Sequence, residues 1–308
     1  MINREENFLK IISKTLSNSG FLGNDCAYLP EYNLAVSSDT LVQDVHFNLD
    51  TITPEVLGKK SLLVNISDIL SSGAKPEYCT ISLSGPLNND FIKCFYTGIN
   101  TVCKEFDIVV IGGDLTGGDK ISVSITILGN TKDRSISSRS NAKPGYTVFL
   151  AGEHGSSAEG LKFLTNKYKK TEHLPYKEDV GDYFIKAHLE PKLYPKISEA
   201  ASLCAHPYAM MDTSDGLYDA LKKISEASNV GFDIEFNKIP KKINDFNTVL
   251  FGGEDYGLLI CLENSDFEKI KNDLCGKNTA IIGKVTKETR ILIDNKEVLE
   301  DLRFGHFK

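Results

Sequence analysis

The sequence predicts an α/β protein of the α+β type, folded as two domains. Three observations carry that expectation. The chain has 308 residues, more than one small hydrophobic core usually organises. Its first 130 or so residues mix a few helices with strands of strict apolar–polar alternation, best seen in I-S-V-S-I-T-I-L-G (121–129), rather than repeating strand–helix units. A Ser-rich stretch, S-I-S-S-R-S-N-A-K-P-G (135–145), then precedes a second set of strand and helix patterns. The boundary falls in that stretch, giving an N-terminal domain of residues 1–137 and a C-terminal domain of 138–308.

In order, Phe8, Leu9, Ile11, Ile12 and Leu16 share one face of an amphipathic helix that Gly20 stops. G-N-D-C-A-Y-L (23–29) is a turn feeding a strand. N-L-A-V-S ends a further strand. The following S-S-D-T-L-V-Q-D-V-H-F (Ser37–Phe47) reads as a loop rich in hard oxygen ligands, which suit Mg²⁺. Thr53 is a natural N-cap and Pro54 suits the first helical position. Gly73 and Pro76 end the long helix they begin. Asn65 and Asp68 lie three apart and so share a face of it. Burial of Asp68 there demands a counter-charge such as a metal.

Residues 78–86 read as a half-buried strand and 88–105 as a helix. D-I-V-V-I-G-G-D-L-T-G-G-D (107–119) reads as an apolar strand running into a Gly-rich turn with carboxylates. In the C-terminal half, residues 147–161 form a strand, a Gly/Ser turn and a helix, while the charged 164–190 read as solvated helix ends and a loop. A-M-M-D-T-S-D-G-L-Y-D-A-L (209–221) gathers carboxylates and a serine around Gly216. V-L-F-G-G-E-D-Y-G-L-L-I-C-L (249–262) carries two more carboxylates into an apolar strand. Two strands close the chain, the second turning at Asp294-Asn295-Lys296.

A net charge of −7 argues against a nucleic-acid surface. The seven cysteines are scattered and form no C-x-x-C, as in a reduced cytosolic protein. The N-terminus lacks a signal-peptide pattern, and no apolar run is long enough to cross a bilayer. The expectation is a cytoplasmic protein without a membrane or nucleic-acid partner.

Carboxylates recur beside turns and strand ends: Asp25, Asp39 with Asp44, Asp68, Asp114 with Asp119, Asp212 with Asp215, and Asp255. Gathered together they repel, and divalent cations remove that cost while bridging to polyphosphate oxygens. No P-loop, dinucleotide fingerprint or protein-kinase motif occurs. A nucleotide therefore has to be held by metals, Gly-rich turns and an arginine such as Arg139. No nucleophile–base pair stands out, and His46 beside Phe47 reads from composition as a packed histidine.

Seven stretches resemble the thiamine-monophosphate kinases, relatives of aminoimidazole ribonucleotide synthetase and selenophosphate synthetase. They are G-N-D-C-A-Y-L, S-S-D-T-L-V-Q-D-V-H-F, N-I-S-D-I-L-S-S-G-A-K-P, I-G-G-D-L-T-G-G, R-S-N-A-K-P-G, M-D-T-S-D-G-L and F-G-G-E-D-Y. They stand in family order, and V-H-F favours the kinase over its relatives. The resemblance implies transfer of the γ-phosphate of ATP to thiamine monophosphate. It also implies a homodimer formed through the N-terminal sheet and an active site in the cleft between the domains. It assigns magnesium to Asp25, Ser37, Ser38, Asp39, Asp68, Asp114, Asp212 and Asp215. It assigns ATP to Gly113, Asp114, Arg139 and Ser214, and the thiamine substrate to His46 and Glu254, with Phe304 as a candidate stacking partner. Asp44 matches no metal position. Asn24 stands where the family usually has an aspartate, and the chain has no Trp. Direct in-line attack by an already anionic phosphate oxygen needs no catalytic base. The alternatives are another ATP-dependent enzyme of the superfamily and a non-catalytic nucleotide- or thiamine-phosphate-binding protein. The chain lacks the N-terminal catalytic cysteine of a selenophosphate synthetase and the cysteine tail of a hydrogenase-maturation relative.

Overall fold

The computed structural model describes residues 4–298 apart from 18, 19, 22, 170–177, 275 and 277; Phe304 lies outside the described residues. The N-terminal half contains α1 (Arg4–Thr15), β1 (Ala27–Leu29), β2 (Leu34–Val42), α2 (Pro54–Ser72), β3 (Lys75–Gly85), α3 (Asn89–Phe106), β4 (Val109–Gly117) and β5 (Ser122–Asn130). Its five strands form a mixed sheet in the order β1-β2-β5-β3-β4, with only β3 and β4 parallel. The alternation in β5 turns Val123, Ile125 and Ile127 inward, where they pack with Leu57, Ile66 and Ile69 of α2 and Phe95 and Ile99 of α3.

Helix α2 forms as the sequence dictates. The Thr53 side chain accepts from the Val56 N–H, Pro54 begins the helix, and Gly73 (φ 88°) ends it with its N–H on the Leu70 carbonyl. Fourteen of its 19 residues are buried, because the sheet covers one side and the C-terminal half covers another. The apolar stripe of α1 stays exposed at Phe8, Leu9, Ile11 and Ile12.

The C-terminal half continues with β6 (Thr147–Ala151), α4 (Ser156–Lys169), α5 (Glu178–Leu189), α6 (Pro195–Ser202), β7 (Ala209–Asp212), α7 (Leu217–Ser228) and β8 (Gly231–Ile234). It ends with α8 (Phe246–Phe251), β9 (Leu258–Leu262), α9 (Asn264–Leu274), β10 (Thr279–Thr286), β11 (Ile291–Ile293) and β12 (Lys296–Glu297). The seven-stranded sheet runs β12-β11-β8-β10-β6-β9-β7. One apolar cluster joins it to α7 and α8, and another joins it to α6 and α9. No described helix is long and apolar enough to cross a membrane.

Three local expectations are corrected. Ser37–Val42 is strand, not loop, because Ala35, Ser37 and Leu41 alternate toward the covered face of the sheet. The Gly-rich turn after Ile111 is likewise strand up to Gly117. A Cβ on Gly113 (φ 153°) would lie 1.8 Å from the Ile81 carbonyl oxygen, so only glycine lets β4 approach β3 there. Residues 164–190 are not simply solvated. Phe163 and Phe184 stack with ring centres 6.0 Å apart, and Phe184 and His188 are buried.

Candidate active site

Three carboxylates from distant parts of the chain converge where the two halves meet. Asp25 precedes β1, Asp68 lies in α2, and Asp212 ends β7; a ligand oxygen from each lies within 4.8 Å of the others. Ser37 Oγ donates to Asp68 Oδ2 at 2.6 Å. Ser71 Oγ donates to Asp25 Oδ2 at 2.8 Å. Asp212 accepts from Ser67 Oγ at 2.7 Å on one oxygen and from Ser214 Oγ at 2.8 Å on the other. Ser67 and Ser71 are spaced one helical turn apart, so α2 presents both hydroxyls together with Asp68. Asn65 holds the neighbouring strand: its Oδ1 accepts from the Asp39 N–H at 3.1 Å.

The electrostatics mark a site short of positive charge. Burial, followed by the charges of Asp39, Asp212 and Asp25, holds the Asp68 carboxyl well above the usual carboxylate range. Burial and the Asp25 charge push Asp212 up to about 7 against the opposing pull of its serine hydrogen bonds. Arg139 supplies one cation. Its guanidinium pairs with Asp25 and donates to the Gly23 carbonyl at 3.2 Å. Burial works against its charge, but Asp25, Asp212 and Asp219 outweigh it and raise its pKa. Asn24 positions that arginine, because its Oδ1 accepts from the Arg139 N–H at 3.0 Å. The residue that departs from the family pattern thus anchors the Arg139 loop. Oxygen-only donors, crowded and desolvated, fit Mg²⁺ rather than a soft metal.

Other predicted residues sit apart from the triad. Ser38 points to the opposite face, where its Oγ lies 3.1 Å from Thr126 Oγ1. Asp215 is ion-paired with Lys223 at 3.0 Å, and Lys223 also reaches Asp219 at 2.7 Å. Asp44 pairs with Lys120 on the surface at 3.0 Å. Gly113 and Asp114 lie on β4. The register runs Asp39–Ile125–Ile81–Gly113, which puts β4 three strands from β2, about 14 Å at ordinary strand spacing. Asp114 follows in the row of Ser82, Ser124 and Thr40, on the face away from α2, with Thr116 Oγ1 donating to it at 3.0 Å.

A second polar group adjoins the triad. Glu254, at φ 64°, is met by Lys60 Nζ 3.4 Å from each carboxylate oxygen and by His188 Nδ1 at 3.2 Å. Burial raises its pKa, yet Lys60, His188 and His46 outweigh that, and the carboxyl ends below its ordinary value. His46 accepts from the Val42 N–H through Nδ1 at 3.0 Å, which leaves Nε2 as the ring's other polar atom. Asp255 turns away to cap α4, accepting from the Gly155 and Ser157 N–H groups at 2.6 and 2.8 Å. Sequence reasoning missed Lys60, His188 and Tyr256. Tyr256 lies buried within the N-terminal core cluster although it follows Glu254-Asp255 in the C-terminal half. Lys60 gave no signal of its own, because it stands between Lys59 and Ser61.

This architecture and its carboxylate cluster define a two-domain protein related to AIR synthase. The family description "AIR synthase related protein, N-terminal domain" matches residues 23–131, and its C-terminal counterpart matches residues 143–294. The thiamine-monophosphate kinase of Bacillus subtilis is 36% identical over 310 residues, covering 93% of each chain. That of Aquifex aeolicus is 30% identical over 319 residues, covering 98% of each. The chain belongs to the thiamine-monophosphate kinase family. Among solved structures, AaThiL complexed with AMPPCP and TMP superposes with a TM-score of 0.86 at 28% identity, covering 98% of this chain and 97% of that one. The hydrogenase maturation protein HypE in complex with ATP, at a TM-score of 0.63 and 17% identity, shares the fold alone.

Proposed function

We propose that the chain transfers the γ-phosphate of ATP to the phosphate of thiamine monophosphate, giving thiamine diphosphate and ADP. The observation that carries this reading is the convergence of Asp25, Asp68 and Asp212 between the two halves of a chain of this family. Magnesium ions fit among these carboxylates, with Ser37 and Asp39 as further ligands, whereas Ser38 on the opposite face of β2 and Asp215 on Lys223 stand outside this group. Bound there, Mg²⁺ offsets the charge of both the carboxylates and the polyphosphate. Arg139, Ser214 and Gly113 serve ATP in this reading, and His46 and Glu254 serve the thiamine end.

The acceptor phosphate oxygen attacks the γ-phosphorus in line, and the bond from that phosphorus to the bridging oxygen of ADP breaks. The attacking oxygen is anionic at neutral pH, so no side chain has to remove a proton. The chain's part is to hold both phosphates in register and to exclude competing water.

We assign Asp114 to the site through a second copy. Oxygens on one Mg²⁺ lie at most about 4 Å apart, far less than the three-strand separation of Asp39 and Asp114 within a chain. Strand β4 is an uncovered edge with Val109, Ile111 and Leu115 exposed, which suits it to a dimer interface. The division at residues 137 and 138 remains our domain assignment, and the cytoplasm our assignment of location. ADP release from purified protein, with ATP, thiamine monophosphate and Mg²⁺ present and each omitted in turn, tests the reading. Absence of thiamine diphosphate in the complete mixture sinks it.

A further inference from the structure

Lys60 is 1% exposed, in the second turn of α2. Burying an ammonium is costly, and a methionine of similar length would fill the same space without that cost. Among the described residues its one recorded polar partner is Glu254, 194 positions away in the other half of the chain. The ammonium stands 3.4 Å from both carboxylate oxygens, so it meets the carboxylate symmetrically. His188 on α5 approaches Oε2 at 3.2 Å and is itself 3.0 Å from Ser157 Oγ. The Glu254 side chain remains 28% exposed, so these contacts do not seal it from solvent. Its backbone is fixed as well, in the left-handed region and with its N–H on the Ser214 carbonyl at 2.6 Å.

We propose that Lys60 is a positioning residue for the acceptor. From α2 it holds Glu254 in place, so that the glutamate side chain selects the amine-bearing heteroaromatic ring of the phosphate acceptor. The inference rests on the kinase reading above. It goes further by naming what orients the recognising carboxylate. Lys60 itself touches no substrate. Because α2 also carries Asp68, the same helix then ties acceptor recognition to the carboxylate cluster.

The test compares wild type, K60M, K60R, E254Q and K60M/E254Q at saturating Mg²⁺, with ATP and thiamine monophosphate varied separately. K60M is expected to raise KM for thiamine monophosphate about tenfold while KM for ATP and kcat stay within about twofold. K60R keeps the charge and is expected to restore most of that loss. The double variant should be no worse than E254Q alone, because both changes remove one function. An unchanged KM for thiamine monophosphate in K60M, a fall in kcat with both KM values unchanged, or multiplying effects in the double variant overturns the proposal. If K60M does not fold, K60Q is scored by the same criteria. Wild type without turnover on thiamine monophosphate removes the kinase reading itself, a result distinct from an active wild type with an indifferent K60M.

Discussion

Ser67 Oγ donates a 2.7 Å hydrogen bond to Asp212 Oδ2, joining the central N-terminal helix to the last residue of β7 across the meeting of the two halves. Both residues are buried, at about 1% exposure. The serine therefore stabilises a carboxylate that water cannot reach. Ser67→Ala is expected to cost about 1.5–3 kcal/mol of stability in the metal-free protein, the range for losing a hydrogen bond to a buried charged group. Denaturant titration measures the loss. Saturating Mg²⁺ should shrink it, because the metal supplies the carboxylate with another partner.

The raised pKa of Asp212 gives the metal-free protein a defined response to pH. Its folded value is about 7 and the ordinary value is 3.8, so between those two the folded state binds the proton more tightly than the unfolded state. Its contribution to stability therefore falls as pH rises from about 4 to about 7. Asp255, also pushed up to about 7 by burial, adds a slope of the same sign. Magnesium competes with the proton at Asp212 but not at Asp255, which is committed to the α4 N-terminus. Mg²⁺ should accordingly raise Tm more at pH 8 than at pH 5. An equal rise at both values would separate metal binding from this carboxylate.

Asp39 projects from β2 beside the triad, and its charge is the leading electrostatic influence on Asp68 after burial. Asp39→Asn removes a proposed metal ligand while the strand register, fixed by backbone bonding to β5, stays intact. Metal stabilisation of developing charge is worth several kcal/mol, so turnover should fall about 10³-fold with an unchanged circular dichroism spectrum. Turnover near that of wild type would take Asp39 out of the site.

How much of this was legible in the sequence depended on how local each signal was. Helix α2 was readable to within a residue because Thr53, Pro54 and Gly73 act on their own backbone neighbours. The strand at Ser37–Val42 was hidden because its inward residues include Ser37 and Asp39 rather than apolar side chains, which breaks the alternation that signals a strand. Asp25, Asp68 and Asp212 were each visible as oddly placed carboxylates, but their meeting depends on packing between residues 43 to 187 positions apart. Lys60 and His188 were silent for the same reason. Nothing near either residue in sequence announces Glu254. Asp114 shows the opposite limit: its motif was clear, and only the strand register reveals that its own chain cannot bring it to Asp39.

The uncovered β4 edge leads to a test at the level of assembly. Ile111 is 56% exposed and lies at the β4 bulge, two residues before Gly113. Ile111→Glu should leave each chain folded with its Asp25–Asp68–Asp212 group intact, yet convert the protein to monomer and remove turnover. Light scattering after size exclusion, paired with the kinase assay, reads both. A fully active monomer would show that each chain is self-sufficient.

Complementation decides whether Asp114 acts within its own chain or across the dimer. Asp39→Asn and Asp114→Asn variants should each be inactive alone. If the two aspartates meet across the interface, a mixed dimer contains one site with both defects and one site with none. Unfolding and refolding an equal mixture makes about half the dimers mixed, so about a quarter of wild-type turnover should return. If both aspartates act within one chain, every site in a mixed dimer carries one defect and no turnover returns. The three-strand separation between Asp39 and Asp114 supports the first outcome, since no rotamer of either short side chain spans it.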